Sequence, residues 1–143
     1  MALELDSLKK AIGALDRSLR VADEQSGGGE DLVETLHAGV VQNFEVAYEQ
    51  CWKMMTRWLE VNASPGDVDG VTRRQLFRLC HENRLIDDVD GWMDFHRSRN
   101  EASHTYNTEI AKNISIVAKE FPSEAAIVLS RITEHNEVLL SAS

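Results

Sequence analysis

Between Val33 and Trp58 the apolar residues Val33, Leu36, Val40, Phe44, Ala47, Cys51, Met54 and Trp58 step by 3, 4, 4, 3, 4, 3 and 4. At about 100° per residue such steps keep every one of these side chains on one face of a helix, whereas a strand would scatter them over both faces. A helix over about 31–60 spans on the order of 45 Å at 1.5 Å per residue. That length sets the long axis of a bundle, against which the other elements must pack. Trp52, Met55 and Leu59 follow a second track beside the first. A buried homodimer interface would cover that excess apolar face.

The remaining chain carries the same period. Leu5, Leu8, Ile12, Leu15 and Leu19 predict an amphipathic helix over about 4–24, with Asp6 as N-cap. Gly27 to Gly29 end it and read as a linker, since no GxGxxG or P-loop surrounds them. "NASPGDVDG" (62–70) reads as a loop. Thr72-Arg73-Arg74-Gln75 has the form of a capping box and opens a short helix through about residue 83, packing Leu76, Phe77, Leu79 and Cys80. Val89, Trp92, Met93 and His96 predict the next helix, which tolerates Gly91 at some cost. Ile110, Ala111, Ile114, Val117 and Ala118 predict another, and Pro122 suits the first turn of a last helix packing Ile127, Val128, Leu129, Ile132 and Leu139. No useful length alternates with period two. The expected fold class is all-α, an up-and-down bundle of five to six helices, with residues 1–143 as a single domain.

At 143 residues the chain can bury roughly two-thirds of its unfolded surface and needs neither disulfide nor metal to fold. Cys51 and Cys80 sit in apolar helical pattern and form no CxxC pair, so they read as buried free thiols of a reducing compartment. The N-terminal "MALELDSLKK" lacks a basic region followed by an apolar segment, and no eighteen apolar residues run together. A cytoplasmic protein with no membrane association is expected. No HExxH or paired CxxC gives metal-ligand spacing. The net charge of −9 excludes indiscriminate coating of nucleic acid, which draws affinity from phosphate neutralisation by many Lys and Arg. The arginines nevertheless concentrate late: Arg73, Arg74, Arg78, Arg84, Arg97 and Arg99 fall within 71–99.

Immediately after them the apolar pattern breaks into "RSRNEASHTY" (97–106), which contains no large aliphatic side chain. In a continuous helix Arg99 and His104 would point about 140° apart. A break near Glu101 to Ser103 could aim them together, and Ser103 and Thr105 both favour helix starts. Arg99 offers a planar, permanently charged fork suited to phosphate, and His104 can move protons in both directions near neutrality. Those two groups match phosphodiester transesterification by an RNA 2′-hydroxyl, which requires proton transfer and charge stabilisation. One histidine is short of the two proton-transfer groups of that scheme; a symmetric dimer would supply the second.

"RNEASHTY" resembles the Arg-x4-His-x-Tyr signature of the HEPN superfamily, in the branch described as nucleotidyltransferase substrate-binding proteins and as HepT-type toxins. Arg99, Asn100, His104 and Tyr106 carry the match, with Ser103 and Thr105 in support. The resemblance extends to chain length, helix pattern and the long second helix. It implies a helical bundle that dimerises with its Arg-His motifs opposed and cleaves RNA without a metal or other cofactor. It further implies that Arg99 stabilises the scissile phosphate, Asn100 positions it and His104 transfers protons. The implied partner is a minimal nucleotidyltransferase acting as antitoxin, which adenylylates Tyr106 and so places charge and bulk where RNA phosphate would bind. The alternative within the same resemblance is a non-catalytic substrate-binding subunit of a two-component nucleotidyltransferase.

The other histidines read differently. His37 lies near the apolar stripe of the second helix and reads as a core or interface residue. His81 falls near a helix C-terminus, where its charge favours the dipole. His96 could join the Arg99 site, but packing beside Trp92 is the preferred reading. His135 lies among Glu134 and Glu137 and reads as solvated.

Overall fold

The computed structural model describes residues 4–63, 65–104 and 106–142, and side chains other than those of residue 65 and of residues 135–142. The described residues form helices α1 (Asp6–Glu24), α2 (Glu30–Asn62), α3 (Pro65–Val68), α4 (Arg73–Glu82), α5 (Val89–Glu101), α6 (Thr108–Ala118) and α7 (Phe121–Ala142), with a 3-10 turn over Ala102–His104. Six of these lie where apolar periodicity places them. The seventh, α3, is a single turn inside the expected loop, and its Val68 side chain is buried.

Helix α2 runs through the middle and packs against α1, α4, α5, α6 and α7. Its N-terminal part is only half covered at Val33 and Leu36. From Val40 onward both tracks are buried: Phe44, Ala47, Cys51, Met54 and Trp58 on one, Met55 and Leu59 on the other. The second track is therefore closed within the chain, and Trp52 lies half-buried under the Arg73 guanidinium, 3.6 Å from the ring centroid. This corrects the expectation that these residues form an excess apolar face: a central helix must be apolar on more than one side.

Helices α2, α5 and α7 meet in an aromatic cluster. The Phe121 ring lies 5.5 Å from Phe44, 5.5 Å from Trp92 and 5.0 Å from Phe95 between centroids, each pair edge to face. Phe77 of α4 extends the cluster to Trp92 at 5.7 Å. Edge-to-face contacts place the positive ring edge on the negative face and add about 0.5–1.5 kcal/mol per pair beyond area burial. Neither Phe95 nor Phe121 stood out in the periodicity, yet both are buried. On α7 the described buried residues are Phe121, Ala125, Val128 and Ile132, whereas Ile127 is 36 % exposed and so lies off the core face; the Leu139 side chain lies outside the described residues.

The caps agree in part with the sequence. Thr72 accepts from the Gln75 amide at 3.2 Å and the Gln75 side chain accepts from the Thr72 amide at 2.9 Å, completing the capping box. Asp6 is the first residue of α1 rather than its cap, and Glu4 accepts from its amide at 2.7 Å. Gly91 has a reason to stand in α5. Asp88 caps that helix through the Gly91 amide, and a Cβ on residue 91 would come within 2.8 Å of the Asp88 carboxylate.

Cys51 and Cys80 are free and buried, and burial pushes the Cys80 thiol up to about 12. Among the described residues no helix is long and apolar enough to cross a membrane.

Phe121→Ala removes the ring at the centre of the aromatic cluster and is expected to cost about 3–5 kcal/mol, against about 1 kcal/mol for Thr72→Ala at the cap. Urea unfolding of both variants checks the order; equal losses would place the main constraint elsewhere than at the α2–α5–α7 contact.

Candidate functional site

The polar stretch singled out in the sequence lies at the handover from α5 to α6. Helix α5 ends at Glu101, Ala102 turns inward and is buried, and the chain tightens into the 3-10 turn before α6 begins at Thr108. The break thus falls where the Arg99–His104 spacing called for one. Its cap is different from that expected. Asn107 accepts from the amides of Glu109 at 3.0 Å and Ile110 at 3.4 Å, while Ser103 stays in the turn and donates its hydroxyl to the Asn100 carbonyl at 3.3 Å. An Asx side chain satisfies two orphan amides at once, which outcompetes a hydroxyl upstream. Thr105 lies outside the described residues.

Arg99, in the last turn of α5, is half-buried and does not hang free. Its Nε donates to Glu49 at 3.2 Å, and its Nη1 lies 3.7 Å from Glu45. Glu45 and Glu49 stand one turn apart on α2, so a single guanidinium spans both. Lys53, a further turn along, approaches Glu49 at 4.0 Å. Neither glutamate was singled out in the sequence. The signal was present in the four-residue spacing of Glu45, Glu49 and Lys53 beside the apolar track, but only packing shows which residue they face.

Asn100 is exposed, with its side-chain amide nitrogen 3.4 Å from His96 Nε2. The other ring nitrogen of His96, Nδ1, lies 2.9 Å from the Tyr48 hydroxyl. His96 is therefore half-buried in a polar network, which corrects its reading as a packing residue beside Trp92. Its ring also lies over Tyr48 at 6.0 Å between centroids. Burial first, then the charges of Arg73 and Arg99, hold the imidazole below its ordinary value. Burial pushes the Tyr48 phenol well above its own.

His104 and Tyr106 lie together on the outer side of the junction. Their rings meet edge to face at 6.2 Å, and Tyr106 is 85 % exposed. Among the described residues no hydrogen bond joins Arg99 to His104. Beside Tyr106 a groove of about 630 Å³ opens between α2 and α6, lined also by Glu34, His37 and Lys112. The site is thus two adjoining parts: an inner one of Arg99, Asn100, His96 and the α2 carboxylates, and an outer one of His104 and Tyr106.

The His96 environment carries a pH dependence with a definite sign. An imidazole held below its unfolded value near 6.5 contributes stability above that pH and loses it as pH falls through the lower folded value. Wild type should therefore lose more stability than His96→Gln between about pH 7.5 and about pH 5. Urea midpoints at the two pH values measure this, and parallel losses would show that His96 titrates normally.

Likenesses to known proteins bear on this geometry. Residues 3–134 match the model of the family described as nucleotidyltransferase substrate binding protein like. A Haemophilus influenzae protein named probable ribonuclease HepT is 31 % identical over 105 residues, covering 73 % of this chain and 72 % of that one. HI0074 of Haemophilus influenzae, whose structure is described as revealing the fold of a substrate-binding domain of a nucleotidyltransferase, superposes with a TM-score of 0.85 at 27 % identity, over 91 % of this chain and 99 % of that one. A Thermus thermophilus protein shares the fold at a TM-score of 0.61 and 23 % identity, over 82 % and 98 % of the two chains. The helical bundle and its α5–α6 junction are therefore those of a member of the nucleotidyltransferase substrate-binding-protein-like family, the HepT-like branch of the HEPN proteins.

Proposed function

We propose that this protein is the toxin of a toxin–antitoxin pair, a metal-independent endoribonuclease that its nucleotidyltransferase partner silences by adenylylating Tyr106. The observation that carries the reading is the outer half of the site: Tyr106 stands 85 % exposed with its ring 6.2 Å from His104. A phenol so placed is open to a modifying enzyme, and whatever is added to it lands beside the proton-transfer group.

In the cleavage step the RNA 2′-hydroxyl attacks the adjacent phosphorus, and the bond to the 5′-oxygen breaks. The 2′-hydroxyl proton passes to a base and the leaving oxygen receives one from an acid, leaving a 2′,3′-cyclic phosphate and a 5′-hydroxyl. His104 serves one of these transfers, and His104 of a second copy in a homodimer serves the other. Arg99 and Asn100 hold the phosphate oxygens as charge builds on them. In silencing, the Tyr106 oxygen attacks the α-phosphorus of ATP in the partner's active site and pyrophosphate leaves. The phosphodiester that results sets a negative charge and a nucleoside beside the RNA site. The family description, the relative named as a ribonuclease and the exposed His104–Tyr106 pair support this reading together.

A second reading, a non-catalytic substrate-binding subunit of a two-component nucleotidyltransferase, draws on a different observation. Arg99 already faces two carboxylates, Glu45 and Glu49. Two of its three guanidinium nitrogens, Nε and Nη1, face those carboxylates, so a phosphate would compete with them for the fork.

Purified protein made without its partner should cut total RNA in EDTA to 2′,3′-cyclic ends, with His104→Ala and Arg99→Ala each slower by a factor on the order of 10²–10⁴. Co-expression with the nucleotidyltransferase should add adenylyl mass to wild type and none to Tyr106→Phe. Absence of cutting by the unmodified dimer, with nucleotide or partner binding intact, would transfer the assignment to the substrate-binding subunit.

A further inference from the structure

The inner site has few hydrogens to share among its donors and acceptors. His96 touches Tyr48 through Nδ1 at 2.9 Å and Asn100 through Nε2 at 3.4 Å. Its ring is faced by Arg73 from α4, by Glu49 from α2, and by Arg97 and Arg99 from its own helix. Held below its ordinary value by burial and by Arg73 and Arg99, the imidazole is neutral near pH 7 and carries one N–H. The Tyr48 phenol, kept protonated by burial, has one O–H to place. The Arg73 guanidinium also bears on that phenol, and a guanidinium only donates. The Tyr48 oxygen can thus take up the donor, while its own hydrogen requires an acceptor. The acceptor within reach of that hydrogen is His96 Nδ1, at 2.9 Å.

We infer that Tyr48 and His96 are positioning residues that turn the Asn100 amide so that its NH2 group faces outward beside Arg99, as a donor for an RNA phosphate oxygen. Tyr48 donates to Nδ1, so the single imidazole hydrogen sits on Nε2. Two N–H groups facing across 3.4 Å repel, so the Asn100 amide turns by about 180° and offers its oxygen to Nε2–H. Both hydrogens of its NH2 then point away from His96, at the position that follows Arg99 in α5. The opposite tautomer would leave the buried Tyr48 hydroxyl hydrogen without an acceptor and would aim the Asn100 oxygen, which repels phosphate, at the substrate. The chain from α4 through Arg73, Tyr48 and His96 to Asn100 thus fixes at its buried end the polarity shown at its exposed end.

This inference rests on the reading of Arg99 and Asn100 as a phosphate site, and its test separates the two. The full-length protein, labelled with ¹⁵N, is titrated with a short RNA whose riboses are all 2′-O-methylated, which can bind but cannot be cut. Long-range ¹⁵N–¹H spectra report which His96 nitrogen carries hydrogen, and the Asn100 side-chain amide signals report contact. The expected result is the Nε2–H tautomer in wild type, with the Asn100 amide signals moving on binding. Tyr48→Phe keeps the ring in its packing but deletes the hydroxyl. It should mix the tautomers and weaken binding on the order of tenfold, the cost of one hydrogen bond to a charged group. An Nδ1–H tautomer in wild type overturns the inference without recourse to any variant. Unmoved Asn100 signals, with equal affinity of wild type and Tyr48→Phe, overturn it as well. Failure of wild type to cut unmethylated RNA, with the tautomer and amide response as expected, would overturn the nuclease and leave the phosphate-facing amide standing.

Discussion

The packing of α5 on α2 through one aromatic cluster is the constraint on which the rest of this structure depends. Phe44 and Tyr48 of α2, Trp92 and Phe95 of α5 and Phe121 at the start of α7 are linked by ring contacts of 5.0–6.5 Å, mostly edge to face. Edge-to-face contacts are directional, so they settle the rotation of α5 about its own axis as well as its distance from α2. With Phe95 turned inward, the neighbouring positions 96 and 99 come round to the rim of the contact, where a side chain is half covered. That is the environment of His96 and Arg99. A slip of one residue would carry Arg99 away from Glu45 and Glu49 and would break the Tyr48–His96 contact.

The half-buried setting gives these polar groups their character. Fully exposed, the ion pairs of Arg99 would be screened and worth little. Fully buried, they would cost more in desolvation than they return. At the rim the carboxylates of α2 hold the guanidinium in one orientation yet leave it able to exchange partners. The outer pair, His104 and Tyr106, belongs to a different regime. His104 closes the 3-10 turn after α5 and accepts from the Asn107 amide through its carbonyl, while Tyr106, just before α6, is open to solvent. The junction thus sets a guanidinium oriented by two carboxylates near a phenol that is open to solvent.

Much of this was legible from the residues. Six helices follow from apolar steps of three and four, and α5 ends at Glu101, inside the stretch where a break would let Arg99 and His104 turn toward one another. The capping box at Thr72 is formed in full. The misreadings share one cause. Trp52, Met55 and Leu59 suggested a second chain because periodicity counts apolar faces without saying how many neighbours a helix has. The sequence neighbours Trp92 and Phe95 point His96 to packing, whereas its spatial hydrogen-bond neighbours are Tyr48 and Asn100. Ser103 was favoured as a cap by residue type alone, and Asn107 took that role because it meets two amides at once.

Local and periodic information therefore determined the elements of this protein. Helix propensity, caps and apolar steps act over three or four residues, and the motif from Arg99 to Tyr106 lies within eight. The partners of that motif were decided only in three dimensions. Glu45, Glu49 and Tyr48 precede it by about fifty residues, and nothing local links them to it. They meet because aromatic packing admits one rotation of α5 against α2. Complementary charge then settles at the rim of a contact that side-chain shape has already chosen.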